Sequence, residues 1–133
     1  MGTVKLNTRH LPRILYNFGL SDKPGIFNFT QDHCNVGGTY LSNGTRCDGM
    51  NVMVNTLDNI SFTRNISVIK MDVEGLEEQV LIGGSNMLAK NKPTLIIEIW
   101  PLNVQKVSNL LLSMGYVQID NKNDDYVFVP NAQ

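Results

Sequence analysis

The sequence predicts an α/β domain whose sheet is mostly parallel and ends in an antiparallel hairpin. Three observations carry this. Ile66–Val73 and Thr94–Trp100 are short apolar runs rich in β-branched residues, the pattern of buried strands. Between them Leu76, Val80 and Leu81 recur at helical spacing, so the segment reads as strand, helix, strand with a right-handed parallel crossover. After a second helical pattern, Tyr116–Asp120 and Tyr126–Val129 read as two strands around a turn at Asn121–Asp125.

The bulk numbers agree with one soluble domain. A chain of 133 residues can bury a real core. Hydrophobic content of 42% and charged content of 17% are ordinary for a globular protein. The net charge is −1 with no basic block, which argues against nucleic acid as the main partner. No apolar run reaches membrane-spanning length and the N-terminus lacks a signal-peptide core, so a cytoplasmic location is expected. Cys34 and Cys47 are then expected to be reduced. His33, Cys34, Cys47 and Asp48 fit no structural zinc spacing, and no metal is expected. Asn-x-Ser/Thr triplets begin at Asn28, Asn43, Asn59 and Asn65, and they follow from the abundance of Asn.

Residues 1–13 are a polar, irregular lead-in carrying Arg9, His10 and Arg13. The domain proper runs over 14–130, opening with a strand at Ile14–Leu20. Ser21–Gly25 is a turn built on Pro24, and Ile26–Thr30 alternates as a second strand, making a hairpin or meander. Gln31–Asn51 shows no periodicity and reads as a long loop. Met50–Leu57 alternates again as a strand.

The central strand Ile66–Val73 follows, then the helix from Leu76, broken at Gly83-Gly84, with further helical turns over Ser85–Lys90. Lys92-Pro93 stops it. Thr94–Trp100 is apolar on both faces, which fits a sheet covered by helices on each side. Asn103 suits the cap of a helix over Val104–Met114, which aligns Val107, Leu110, Leu111 and Met114 on one face, and Gly115 suits its stop.

The stretch Val68-Ile-Lys-Met-Asp-Val-Glu-Gly75 is where chemistry is expected. A buried strand turning into a helix puts its last side chains at the carboxyl edge of the sheet, where ligands bind in open α/β folds. Here these are Asp72 and Glu74, with Gly75 allowing close approach. Glu98 ends the next strand on the same edge. The plainer reading stays open: the acids cap the helix and the glycine only permits the turn.

Ile69-Lys-Met-Asp-Val-Glu-Gly75, with Glu77, Val80-Leu81 and Gly83 behind it, resembles the central string of FkbM-type S-adenosylmethionine-dependent methyltransferases. So do Lys92-Pro93 with Ile96-Ile-Glu98, Gly115-Tyr116, and Asp125-Tyr-Val-Phe-Val-Pro130. Asn17–Asp22 and Thr56-Leu-Asp58 are similar to strings further upstream in that family. The resemblance covers about residues 14–130. It implies a Rossmann-like methyltransferase fold, S-adenosylmethionine as cofactor, and a hydroxyl on a sugar or other small molecule as acceptor.

Under that resemblance Asp72 orients substrate or cofactor, Glu74 orients the acceptor or takes its proton, and Glu98 is a third acid. Leu20, Ser21 and Asp22 end the strand that abuts the adenine, and Trp100 lines the substrate pocket unless it is core. One departure stands out. The family's opening strand, with its Gly-rich turn for the cofactor, and its second strand have no counterpart here. The fold is therefore expected to be truncated, with one edge of Ile66–Val73 open, an aggregation hazard for an apolar strand. The expected outcomes are a fragment of a longer enzyme, a homodimer or rearranged edge, or a missing half supplied by another chain. The non-catalytic alternative is a fold remnant serving as an interaction or assembly module by strand addition.

Overall fold

The computed structural model describes residues 13–31, 39–42 and 50–132. In chain order the elements are β1 (Gly19–Leu20), β2 (Gly25–Gln31), β3 (Thr39–Ser42), β4 (Met50–Asn55), β5 (Val68–Met71), α1 (Glu77–Gly83), α2 (Ser85–Asn91), β6 (Thr94–Glu98), α3 (Val104–Ser113), β7 (Tyr116–Lys122) and β8 (Asp125–Pro130). They form two four-stranded sheets, ordered β1-β4-β2-β3 and β5-β6-β8-β7.

The second sheet is the one the sequence anticipates. β5 and β6 run parallel, in register from Val68↔Thr94 to Met71↔Ile97. β8 lies antiparallel to β6, and β7 closes the hairpin with a bulge between Gln118 and Asp120. The helical crossover through α1 and α2 explains why the β5–β6 pair is parallel, since parallel neighbours need a long connection.

The expectation of a mostly parallel sheet needs correction. Parallel pairing occurs between β1 and β4 and between β5 and β6, while β2–β3, β2–β4, β6–β8 and β7–β8 are antiparallel. Helices connect β5 to β6 and β6 to β7, while among the described residues no helix joins the strands of the first sheet. The sheets are therefore mixed.

Among the described residues the helices pack on one face of β6. Leu95, Ile97 and Ile99 are fully buried, in one core with Val80, Leu81, Leu88, Val107 and Leu111 from the three helices. Each such side chain contributes about 1.5–3 kcal/mol by leaving water. Ile96 and Glu98 alternate to the other face and are half-buried. The apolar character of β6 on both faces therefore does not mean helices on both faces.

The predicted strand at Ile14–Leu20 shrinks to Gly19–Leu20, paired to Val54 and Asn55 of β4. Ile14 and Leu15 are each 73% exposed, so the start of that run stays outside the core. β2 pairs with β3 and β4, and no pairing joins it to β1 among the described residues. β3 lies inside the stretch read as loop.

At the α1–α2 break, Gly83 packs against the carbonyl of Ser21, where a side chain would collide with backbone. Asp58, just beyond β4, accepts hydrogen bonds from the backbone N–H groups of Met87 (2.8 Å) and Asn86 (3.2 Å), satisfying the first turn of α2. Lys92 closes α2 in the left-handed conformation before Pro93. Asn103, the expected cap of α3, makes no side-chain capping bond. Its backbone angles (φ −101°, ψ −10°) are not the extended ones a cap needs, because the turn Pro101–Asn103 runs straight into the helix. Gly115, at φ +82°, ends the segment as expected.

Candidate functional site at the carboxyl edge

β5 and β6 end side by side. One step beyond the Met71↔Ile97 pair lie Asp72 and Glu98, and Glu98 is in register with Asp125 of β8. Three carboxyl groups thus line up across three strands. Asp72 is exposed and Glu98 half-buried. The charge of Asp72 pushes the Glu98 pKa above the ordinary carboxylate range. Partial burial, the charge of Asp125 and a hydrogen bond with Asp72 act in the same direction, and Lys70 opposes them. The neighbouring negative charge makes ionising Glu98 more costly.

Lys70 reaches across β6 to Asp125, with Nζ 2.5 Å from Oδ1. Both side chains are 52% exposed, so this ion pair adds at most about 1 kcal/mol to stability. It occupies Asp125 and leaves Asp72 and Glu98 as the free acids of the row. Lys70 was legible in principle, since it sits two residues before Asp72 on one face of a strand. Asp125 was not, because only the hairpin brings it beside Glu98.

The turn between β5 and α1 carries two successive left-handed residues, Glu74 (φ +51°) and Gly75 (φ +96°). For Glu74 this conformation costs on the order of 1 kcal/mol and is seen where geometry outweighs propensity. Glu74 is half-buried. At Gly75 a Cβ would lie 3.3 Å from the Trp100 ring and 3.8 Å from Asn103 Nδ2. Trp100 is 42% exposed, so it is not core: its indole roofs the Gly75 turn and keeps an open side.

Glu77 belongs to the same corner. It is 1% exposed, and its Oε1 accepts the Gly75 N–H at 3.0 Å, pinning the turn. Its Oε2 has no hydrogen-bond partner among the described residues. The sequence placed Glu77 only as a first-turn acid; its burial comes from tertiary packing.

Leu20, Ser21 and Asp22 meet α1 elsewhere. Leu20 packs against the core, and Ser21 is buried, its N–H bonded to the Asn55 carbonyl at 2.9 Å and its hydroxyl to Asp22 at 3.1 Å. They touch α1 at Gly83, its last residue, whereas Asp72–Gly75 lead into its first. A helix of that length spans roughly 10 Å. The structure therefore brings Asp72, Glu74, Glu98 and Trp100 to one edge, and sets Leu20–Asp22 at the other end of α1.

Among the described residues no group of three or more His, Cys, Asp or Glu side chains could hold a metal ion. His33, Cys34, Cys47 and Asp48 lie outside the described residues. No helix among the described residues is long and apolar enough to cross a membrane. The acid row suits a cationic ligand that also carries hydroxyls. Its crowded negative charge is relieved by a positive group, and carboxylates accept hydroxyl protons.

Residues 2–117 match the model of the methyltransferase FkbM domain, and the chain belongs to that family. No curated protein matches it. Among solved structures, methyltransferase FkbM from Methylobacillus flagellatus KT is similar at 24% identity and a TM-score of 0.49. The match covers 59% of this chain and 23% of that protein.

Proposed function

We propose that the chain is an S-adenosylmethionine-dependent methyltransferase domain of Rossmann-like build, acting on a hydroxyl of a sugar or another small molecule. The observation that carries the reading is the Asp72–Glu98 pair at the carboxyl edge of parallel β5 and β6, inside the matched family domain.

The cofactor would supply an electrophilic methyl group on a positively charged sulfur. The chain's own residues then have three tasks. Asp72, exposed at the edge, accepts hydrogen bonds from hydroxyls or an ammonium group and orients them. Glu98, together with Asp72, takes up the acceptor's hydroxyl proton, for which a raised pKa helps; such a group contributes about 10²–10⁴-fold. Glu74 is fixed by its turn and orients the acceptor. Trp100 and Gly75 shield one side of that edge. Leu20–Asp22 reach the adenine only if the cofactor extends along α1 from the acid row.

The test is methyl transfer from labelled S-adenosylmethionine to a panel of sugars and other alcohols. Asp72→Asn and Glu98→Gln should each lower transfer by about 10²-fold or more while the fold is retained. Transfer by both variants at the parent rate would remove the acid row from the chemistry.

A second reading has its own support. Among the described residues β5 has a strand partner on one side only, and Val68 is 57% exposed. Such an edge suits strand addition by another segment, in a second copy or a different chain. A concentration-dependent sedimentation coefficient, lost in Val68→Lys, would favour it.

A further inference from the structure

The amino edge of the second sheet, opposite Asp72 and Glu98, carries a separate polar groove of about 530 Å³. Its walls are the loop entering β5, with Phe62, Arg64 and Asn65, and the α2 residues Asn86, Lys90 and Asn91. That volume is within the range of small-molecule sites.

The charges of the groove do not balance. Its ionisable residues are Asp58, Arg64 and Lys90. Asp58 is committed, with both oxygens accepting backbone N–H groups of α2. Arg64 and Lys90 form no ion pair among the described residues. Arg64 and Lys90 therefore line one groove with no free carboxylate among its lining residues. Asn91 is also committed: its Oδ1 accepts the Ile66 N–H at 3.0 Å and its Nδ2 donates to the Met87 carbonyl at 3.0 Å, which fixes the wall. Asn65 and Asn86 add amide groups, and Phe62, 39% exposed, presents part of an aromatic ring.

We propose that this groove binds a phosphate monoester carrying a flat ring, of which a nucleoside monophosphate is the simplest example. The Arg64 guanidinium offers a planar pair of donors to phosphate oxygens, and Lys90 adds a compact second charge. Phe62 packs against the ring, a contact that tolerates different ring identities. Asn65 and Asn86 meet the ring's polar edge with donors and acceptors. The site is independent of methyl transfer, because it lies at the opposite end of β5 from Asp72.

The test is calorimetric titration of the purified chain with uridine monophosphate, uridine and inorganic phosphate at low salt, with amide chemical shifts mapped in parallel. A pyrimidine probe avoids the adenine of the proposed methyl donor. Uridine monophosphate should bind with Kd on the order of 0.1–1 mM, about tenfold tighter than phosphate, and uridine weakest. The combined Arg64→Gln and Lys90→Gln substitutions should weaken it at least about tenfold. Lys106→Gln, at a lysine paired to Glu78 on another surface, should leave it unchanged. Shifts should cluster at residues 60–65 and 86–91. Parent-like binding by the folded double variant, or shifts clustered elsewhere, would overturn the site. Phosphate binding as tightly as uridine monophosphate, with Phe62→Ala neutral, would overturn the ring and leave inorganic phosphate as the ligand.

Discussion

Gly83→Ala should destabilise this protein, against the usual rule for a helix. Replacing glycine by alanine inside a helix normally stabilises by about 1 kcal/mol. Here the new Cβ would sit 3.1 Å from the Ser21 carbonyl carbon and 3.2 Å from Asp22 Cα, and nearer still to the Ser21 oxygen. The overlap with that oxygen is roughly 1 Å, and the obstacle is backbone rather than a side chain that can turn away. Overpacking of this kind costs about 1–3 kcal/mol. Pushing Ser21 aside also strains its N–H bond to Asn55, worth about another 1 kcal/mol. Subtracting the helix gain leaves a net loss of about 1–3 kcal/mol, or roughly 4–11 °C in Tm for a chain this size. Thermal and guanidinium unfolding followed by circular dichroism would read it. Gly84→Ala is the comparison: its nearest contacts are the Leu57 side chain, 2.8 Å from Cδ1 and 3.0 Å from Cβ, rather than backbone, so its loss should be smaller. A Gly83→Ala protein as stable as the parent would refute the packing of α1 on Ser21.

Other outcomes follow from the same geometry. Asp58→Ala leaves two N–H groups of α2 without their acceptor and should cost about 1 kcal/mol, read from the denaturation midpoint. Gly115→Ala meets no steric obstacle, yet φ +82° should cost it about 1–2 kcal/mol in the same assay. Asp72→Asn removes the largest cause of the raised Glu98 pKa, so the Glu98 carboxyl carbon, followed by NMR, should titrate at lower pH than in the parent. A carboxyl whose folded pKa is raised favours the folded state at low pH and loses that contribution as pH rises through the folded value. Glu98→Gln should therefore flatten the fall in stability on the alkaline side of the ordinary carboxylate range, measured as midpoint against pH.

Much of the carboxyl-terminal half was legible because its signals are local. The runs of β5 and β6, the spacing of Val80 and Leu81, and the Gly115 stop each depend on neighbours in sequence. The amino-terminal half was less so. Ile14–Phe18 has strand composition, yet Ile14 and Leu15 stay exposed, and composition alone does not report whether a run finds a strand partner. β3 hides among Gly, Asn and Asp residues because its pairing with β2 supplies the order that its own sequence does not.

At the site, the strand ends placed Asp72 and Glu98 on one edge, since parallel register follows from the crossover. The Lys70–Asp125 pair, the burial of Glu77 and the Trp100 roof over Gly75 needed the fold, because each joins residues from different elements or different faces. Thr56-Leu-Asp58 shows the difference most clearly. In sequence it reads as the end of a strand, while in three dimensions Asp58 caps a helix that begins far along the chain.

The most direct measurement is calorimetric titration of the purified chain with S-adenosylmethionine and S-adenosylhomocysteine. Binding on the order of 10 µM, weakened at least about tenfold by Asp72→Asn, is the expected result for an acid row that holds the cofactor. No heat of binding from a cooperatively folded protein would contradict a cofactor site in these residues, and would turn attention to the open edge of β5.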